Sequence, residues 1–332
     1  MISRRNFIKN SVGAGIGIGL LPSLMSCQPD PLFRFAVCAD IHKDIMPDAD
    51  KRLSTFVNVA NSYNVDFVVQ LGDFCYPEEK NKSFLNIWNS FAKTKYSALG
   101  MHDMDKHSKE EVVDYLGIPD TRYSFDWLGF TFIVLDSNFY EDANGVSHDY
   151  SVRNFMGQSN LNRIPDIQAE WLKAQLTGTS NRCIVFSHYP LFNITDHDVN
   201  ASVRRIIEFE NKRVGYKKVV ASFNGYNHAD YTKIVNDIAY VSINSMSHIW
   251  AGARYSSRKR FSQLDNKNYP PLKYTMPYVF PLYAIVEIFE DKIKLIGTRS
   301  EFMKPTPLDM GMHSREDGLP IRPIVSDMEL LF

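Results

Sequence analysis

The sequence predicts a layered α/β protein in which helices cover β-sheets. From Leu32 onward, short apolar runs alternate with amphipathic helical patterns, and this alternation is typical of sheets packed against helices. The chain has 332 residues, 44% of them hydrophobic and 23% charged. That composition suits a large core and excludes disordered, collagenous and coiled-coil proteins. No repeat, low-complexity tract or Gly/Ser linker interrupts the pattern, so a single domain over residues 32–303 is the simplest interpretation.

The positions of the strands and helices are predicted from the spacing of hydrophobic residues along the chain. Apolar runs predict buried strands over residues 33–39, 66–71, 96–99, 131–136, 183–187 and 218–223. Amphipathic patterns predict helices over residues 48–63, 83–93, 109–116, 166–176 and 202–213. We further predict a hairpin over 122–136 and late antiparallel strands over 238–243 and 283–296. Residues 304–332 are predicted to form an irregular surface extension.

The net charge and the number of cysteines argue against two classes of protein, those that bind nucleic-acid polymers and those built on disulfide bonds. The formal net charge is −1, so the sequence carries no electrostatic signature of binding to a nucleic-acid polymer. Four cysteines in so long a chain do not make a disulfide scaffold. Cys38, Cys75 and Cys183 lie in apolar stretches and are predicted to be buried thiols.

The first 27 residues differ from the rest. Arg4 and Arg5 precede Phe-Ile-Lys and a Gly-rich apolar run that is too short to span a bilayer, and this pattern resembles a twin-arginine export signal. The run ends at Leu-Met-Ser-Cys27, which resembles a lipoprotein cleavage box. We therefore expect residues 1–27 to be an export signal of a bacterial protein, periplasmic or anchored to the membrane through an acylated Cys27. The alternatives are a general secretory signal and an incidental cysteine.

Polar side chains follow five predicted strands, at the points where those strands end. They occur in Asp40-Ile41-His42, Gly72-Asp73, Gly100-Met101-His102-Asp103, His188 and Gly225-Tyr226-Asn227-His228. The carboxyl ends of strands in α/β sheets are where ligands bind. Imidazoles and carboxylates together suit Zn²⁺, Mn²⁺ or Fe, so we predict a divalent metal centre of one or two ions. Taken singly, Asp40 and Asp73 would be turn residues and His188 a core histidine.

This order of motifs resembles the calcineurin-like metallophosphoesterases over about residues 33–231. Within that family it is similar to the branch of manganese-dependent ADP-ribose/CDP-alcohol diphosphatases and exported bacterial phosphoesterases. The resemblance implies a four-layer α/β sandwich of two mixed β-sheets flanked by helices.

The resemblance also implies roles for individual residues. Asp40, His42 and His228 would hold a first metal, and Asp73 would bridge to a second metal that His188 also binds. Met101 stands where the family has an Asn ligand, and Tyr226 stands where it has a His ligand. A thioether is a poor ligand for such ions, and a phenol must first lose a proton of pKa about 10.

Three further roles follow from the same resemblance. His102 would protonate the leaving oxygen, and Asp103 would orient that imidazole. Gly72-Asp73-Phe74-Cys75-Tyr76 also resembles the purple acid phosphatases, whose Tyr binds ferric iron, although those enzymes lack the histidine found at position 42. Tyr76 is thus a metal ligand, a hydrogen-bond partner or a packing residue.

The expected function is hydrolysis of a small phosphorylated substrate, a phosphodiester or phosphoanhydride, and nucleotide-like molecules are among the candidates. In this interpretation a metal-activated hydroxide attacks phosphorus. Two alternatives remain open: a catalytically impaired binding protein that kept the fold, and a one-metal enzyme in which Tyr76 or Tyr226 contributes directly.

Overall fold

The computed structural model describes residues 29–195 and 199–332, of which 31–332 form one compact unit. The export signal predicted over residues 1–27 lies outside the described residues. The α-helices are α1 (Ala49–Ser62), α2 (Lys82–Asn89), α3 (Lys109–Leu116), α4 (Asp166–Gly178), α5 (Ala201–Val214) and α6 (Gln263–Asn268). The strands are β1 (Phe33–Cys38), β2 (Phe67–Gln70), β3 (Thr94–Ser97), β4 (Tyr123–Trp127), β5 (Phe130–Leu135), β6 (Phe139–Glu141), β7 (Ser147–Asp149), β8 (Arg182–Ser187), β9 (Val219–Asn224), β10 (Tyr231–Val235), β11 (Ile238–Ser242), β12 (His248–Trp250), β13 (Thr275–Pro277), β14 (Ala284–Ile288), β15 (Lys292–Ile296) and β16 (Met328–Leu331).

Two six-stranded mixed sheets form the centre of this unit. The first has the order β16-β15-β14-β1-β2-β3, and the second has the order β10-β11-β9-β8-β5-β4. Strands β1, β2 and β3 are parallel, as are β5, β8, β9 and β11. Antiparallel strands complete each sheet. The carboxyl ends of the parallel strands therefore lie at a common edge within each sheet.

The layers are visible in the packing of the apolar side chains. One buried cluster joins the facing sides of the two sheets, with Phe35, Phe67, Phe132 and Phe186 among its members. A second cluster packs the other side of the first sheet against α1 and α2, and a third packs the other side of the second sheet against α4 and α5. The predicted fold class, a four-layer sandwich of two mixed sheets flanked by helices, is confirmed.

Local sequence explains the helices and the hairpin that position the site. The predicted apolar face of α1 is buried. Helix α3 begins with a capping box between Ser108 and Glu111 and ends at Gly117, whose φ is +64°. Strands β4 and β5 form the predicted hairpin, which turns at Leu128 and Gly129 with positive φ at both.

Two predictions about the later part of the chain are only partly confirmed. Strands β14 and β15 are antiparallel to each other, and β11 is antiparallel to β10, but β11 is parallel to its other neighbour, β9. The segment 304–332 is not irregular throughout, since it ends in β16, which extends the first sheet beside β15. The three predicted buried thiols are confirmed as free and buried. Within the described residues, every helix is too short or too polar to cross a bilayer.

Candidate metal centre and catalytic site

The predicted polar groups meet where strands of the two sheets end. Asp40 and His42 follow β1, Asp73 follows β2, and His188 follows β8. His228 follows β9 and brings its ring Nε2 to within 3.1 Å of the Nε2 of His42. All five side chains are buried. Four of them, Asp40, His42, Asp73 and His228, have ligand atoms that all lie within 4.8 Å of one another. We call these four the first ligand group.

The backbone of this group is strained. Asp40, His42, Asp73, Tyr226 and His228 all have positive φ, between +46° and +66°. Non-glycine residues adopt that conformation at a cost, and such residues concentrate at functional sites. Close approach adds a second constraint, because a Cβ at Gly225 would lie 2.5 Å from the Asp40 carboxylate. The surrounding structure therefore holds these side chains in directions that an ordinary turn would not give.

The first ligand group fits a divalent metal. His228 Nε2 lies 3.4 Å from Asp40 Oδ1, and His42 Nε2 lies 3.6 Å from Asp73 Oδ2. Two ligands about 2.1 Å from a common ion, at angles between right and tetrahedral, are roughly 3.0–3.4 Å apart. The Nδ1 of His228 contacts the carbonyl oxygen of His248 at 2.7 Å. That contact suits Nδ1 as a donor and leaves Nε2 with the lone pair that a metal requires.

His188 extends the site from Asp73. Its Nδ1 contacts the Leu71 carbonyl at 2.8 Å. Its buried Nε2 makes no hydrogen bond to any residue that the structure describes, and it lies 3.4 Å from Asp73 Oδ2. Burial opposes a charge on this ring, but the Asp73 carboxylate raises the pKa of His188 to about 10. We call Asp73 and His188, with the replaced positions Met101 and Tyr226, the second ligand group.

The two replaced positions contribute no strong ligand. Met101 packs against a small apolar cluster beside α3. The Tyr226 hydroxyl accepts a hydrogen bond from Asn162 at 3.2 Å, and its ring meets His188 edge to face at 5.6 Å between centroids. Burial raises the pKa of Tyr226, so the phenol stays protonated at neutral pH. The second ligand group therefore keeps one carboxylate and one imidazole.

His102 lies on a short 3₁₀ helix over Met101–Met104, with 31% of its side chain exposed. Its backbone N–H donates to Asp73 Oδ1 at 2.8 Å, which fixes it beside the first ligand group. Its ring Nδ1 lies 3.1 Å from Asp105 Oδ2. Burial lowers the pKa of His102, but the Asp73 and Asp105 carboxylates outweigh it and raise the value to about 9. The imidazole is therefore protonated at neutral pH.

The predicted orienting role of Asp103 is wrong. Its carboxylate accepts the backbone N–H groups of Phe74 and Gly100, at 2.7 and 2.8 Å. Burial, with the neighbouring Asp73 charge, raises the pKa of Asp103 to about 7. The Asp103 carboxylate therefore caps the 3₁₀ helix, because the N–H groups at the start of a helix need an acceptor. Asp105, which the sequence analysis missed, makes the contact with His102 instead.

Tyr76 takes one of the three roles that the sequence left open. Its hydroxyl donates to Asp105 Oδ2 at 3.1 Å, and Arg153 donates to the same oxygen at 2.7 Å. Burial and the Asp105 carboxylate raise the pKa of Tyr76. Tyr76 is therefore a hydrogen-bond partner of Asp105, the residue whose carboxylate contacts the His102 ring.

A polar crevice of about 640 Å³ opens onto both ligand groups. Asp73, His102, Tyr226 and His228 line its floor. Its walls come from several loops and include Asn160, Asn162, Arg163, Tyr189, Asn193, Asn227, Trp250, Arg315 and Asp317. A volume of this size suits a small molecule.

Two further residues at the site were missed by the sequence analysis. Arg315, in the predicted surface extension, donates to the carbonyl oxygens of Asn227 and His228 at 2.9 and 3.0 Å. His248, at the start of β12, forms a second potential metal-binding group with His42 and His228. No local motif marks either residue, since each reaches the site through the packing of a distant segment.

Comparisons with known proteins agree with this architecture. Residues 33–221 match the model of the calcineurin-like phosphoesterase family, a range that ends before His228. Comparison with curated proteins gives no match. The structure is similar to that of a dimetal phosphatase from Danio rerio, with 14% identity, coverage of 91% of this chain and 100% of that one, and a TM-score of 0.58.

Two other solved structures are similar at lower TM-scores. One is the anchor in the inner membrane complex of Plasmodium, with 14% identity, coverage of 88% of this chain and 97% of that one, and a TM-score of 0.49. The other is a purple acid phosphatase from yellow lupin seeds, with 14% identity, coverage of 90% and 54%, and a TM-score of 0.45.

Proposed function

Because the chain belongs to the calcineurin-like phosphoesterase family, we propose that it is a metal-dependent hydrolase of a small phosphodiester or phosphoanhydride. The observation that carries this proposal is the first ligand group, in which four buried ligand atoms lie at the spacing of one coordination sphere, with the His102 ring 5.4 Å from that of His42 between centroids. Its mixture of carboxylate and imidazole suits Mn, Fe or Zn. A bound divalent ion supplies a Lewis acid and lowers the pKa of water toward 7.

The protein's own residues would bind the substrate and deliver a proton. His102 is charged at neutral pH, is held by Asp105 and lines the crevice, so it is placed to protonate a leaving oxygen. Arg163, with 37% of its side chain exposed, lines the crevice and would attract an anionic substrate. Burial of Asp40, His42 and Asp73 keeps bulk water from competing for their ligand atoms.

For the substrate, we favour a phosphodiester or phosphoanhydride of nucleotide size. Tyr189, Tyr226 and Trp250 line the crevice, so flat surfaces for an aromatic base lie beside the metal-binding side chains. The crevice volume exceeds what a simple phosphate needs. This is also the chemistry that the resemblance to diphosphatases implies.

A second candidate function is binding without catalysis. The observation in its favour is the second ligand group, which has only Asp73 and His188 where the family uses four protein ligands. A protein that lost the second ion could retain the crevice and bind a phosphorylated ligand without hydrolysing it.

We also propose that residues 1–27 direct export and that the mature protein is periplasmic or anchored through Cys27. The motivating observation is the paired arginines followed by the Gly-rich run and the cysteine box. Fractionation of cells that express the full chain tests this proposal. Arg4→Lys with Arg5→Lys should leave the protein in the cytoplasm, and Cys27→Ala should release it from the membrane fraction. Unchanged distribution of both variants would refute it.

The test of hydrolysis uses bis(p-nitrophenyl) phosphate and added Mn²⁺ with the purified full chain. Asp73→Asn removes the carboxylate that both ligand groups share, so turnover should fall at least about 100-fold, beyond the 10–100-fold typical of residues behind the ligands. The matched control is Asp237→Asn, at a side chain that is 76% exposed, and it should keep wild-type turnover. Equal turnover in the wild type and Asp73→Asn, with both folded, would favour the binding protein.

A further inference from the structure

His248 is a buried histidine whose two ring nitrogens lack a hydrogen-bond partner in the described part of the chain. Both ring nitrogens are inaccessible to solvent and make no hydrogen bond within the described residues. The ring lies against two side chains of the first ligand group, with centroid distances of 5.1 Å to His42 and 4.8 Å to His228. A ligand atom from each of the three histidines lies within 4.8 Å of the others.

Packing in the hydrophobic core does not explain why position 248 is a histidine. A buried N–H or ring nitrogen without a partner costs about 1–3 kcal/mol, which packing alone would avoid by using Phe or Leu. The edge-to-face contact of His248 with Trp250, at 4.8 Å between centroids, would be available to any aromatic ring. The imidazole is therefore unnecessary for packing, whereas a metal ion would give one of its nitrogens a partner.

The backbone of His248 is already tied to the site. Its carbonyl oxygen contacts Nδ1 of His228 at 2.7 Å, and its N–H donates to Ser245 Oγ at 3.2 Å. Ser245 Oγ in turn donates to the carbonyl oxygen of Asp40 at 2.8 Å. These hydrogen bonds hold the backbone of His248 at a fixed position relative to Asp40 and His228, as a metal ligand requires.

We propose that His248 is an additional metal-binding residue beside His42 and His228, the two imidazoles of the first ligand group, giving the site three imidazoles. The inference rests on the metal binding in the proposed function and not on its hydrolysis. A third imidazole shifts a site away from Mg²⁺ and Ca²⁺ and toward Zn²⁺, Fe or Mn²⁺. It also strengthens the first site in a chain whose second ligand group has lost two ligands.

The experiment is a Mn²⁺ and Zn²⁺ titration of the metal-free full chain by calorimetry, with the melting temperature of the metal-free protein measured in parallel. His248→Phe keeps an aromatic ring and removes both nitrogens. We expect the dissociation constant to rise about tenfold or more, while the metal-free melting temperature stays equal or rises. Pulsed electron paramagnetic resonance of the Mn²⁺ complex should lose the nitrogen coupling of one imidazole. The matched control is His148→Phe, at a half-exposed side chain, and it should change none of these readouts.

The outcomes separate this inference from the function proposed above. An unchanged dissociation constant with unchanged nitrogen couplings in His248→Phe would overturn the inference alone. A lower metal-free melting temperature with unchanged metal affinity would also overturn it, by showing a packing role. If the wild type binds no metal, the proposed function fails together with it. Should His248→Phe not fold, His248→Leu provides the same comparison with a smaller side chain that also lacks a ligand atom.

Discussion

The two ligand groups share Asp73 and the same strand-end scaffold, yet they differ in completeness. The first ligand group has two imidazoles and two carboxylates, with His248 beside them. In the second, His188 keeps its orienting hydrogen bond to Leu71, but Met101 and Tyr226 replace the remaining ligands. The strained backbone persists at both, since φ is +52° at Asp73 and +66° at Tyr226. Tyr226 thus has a backbone conformation of the kind that concentrates at functional sites, although its side chain is a weak ligand.

The sharpest way to test this comparison is to remove one ligand from each group. Asp40→Asn should lower kcat/KM at least about 100-fold and abolish metal binding, because it removes a charged ligand of the more complete group. His188→Leu removes both ring nitrogens and should lower kcat/KM by about tenfold and leave about one ion per chain. Steady-state kinetics and metal analysis by mass spectrometry measure both. A larger loss from His188→Leu would reverse the ranking of the two groups.

Restoring the second ligand group should have the next largest effect. Met101→Asn combined with Tyr226→His supplies an amide oxygen and an imidazole, so metal content should rise toward two ions per chain. Activity should increase by about tenfold, because two metals clamp both the attacking and the leaving oxygen. Metal analysis and kinetics on the double variant check this. A double variant with two ions and no activity would show that the native Met and Tyr belong to a specialised one-metal mechanism.

The contact between His102 and Asp105 predicts a pH dependence. A general acid must be protonated, so activity should fall as pH rises through the His102 pKa of about 9. Asp105→Asn removes a carboxylate that raises this pKa, and the alkaline limb of the kcat/KM profile should then move to lower pH by on the order of one unit. Activity near pH 6 should change little.

Asp103 provides the contrast for that pH profile. Because its carboxylate binds backbone N–H groups and not the imidazole, Asp103→Asn should lower the melting temperature but leave the alkaline limb in place. A shift of the limb with Asp103→Asn, and none with Asp105→Asn, would restore the role predicted from the sequence.

The smallest expected effect comes from outside both groups. Arg315 holds the carbonyls of Asn227 and His228, with only 11% of its side chain exposed. Arg315→Lys should destabilise the fold by about 1–3 kcal/mol, because a point charge cannot replace both hydrogen bonds. It should raise KM severalfold with little change in kcat. Urea unfolding and kinetics measure these quantities, and an unchanged KM would limit Arg315 to a structural role.

The sequence predicts well the structural features that depend on residues close together in the chain. Asp40, Asp73 and His188 could be placed because strand ends are read from apolar runs, and the ends of parallel strands meet at one edge. The face of α1 and the turn at Leu128 and Gly129 are equally local. These features need no knowledge of how distant segments pack.

Of the three missed features, one depends on the geometry of a local turn and two depend on long-range packing. Asp105 reaches His102 because the 3₁₀ turn places the two residues on one side, whereas the motif Gly-x-His-Asp drew attention to Asp103. His248 belongs to a three-residue strand whose partner, β13, begins at Thr275. Arg315 acts across 87 positions of sequence on His228. No hydrophobic period or motif spacing encodes such contacts.

The hydrogen bonds from Arg315 to the carbonyl oxygens of Asn227 and His228 have a consequence for biosynthesis. His228 leaves the ribosome long before the guanidinium that holds its loop, and β16 joins the first sheet later still. A nascent chain therefore presents the open edge of β15 and a loosely held metal-binding loop until residues 315–331 have been made. Stable metal binding should accordingly require that residues 315–331 have been made and have packed against the His228 loop and β15.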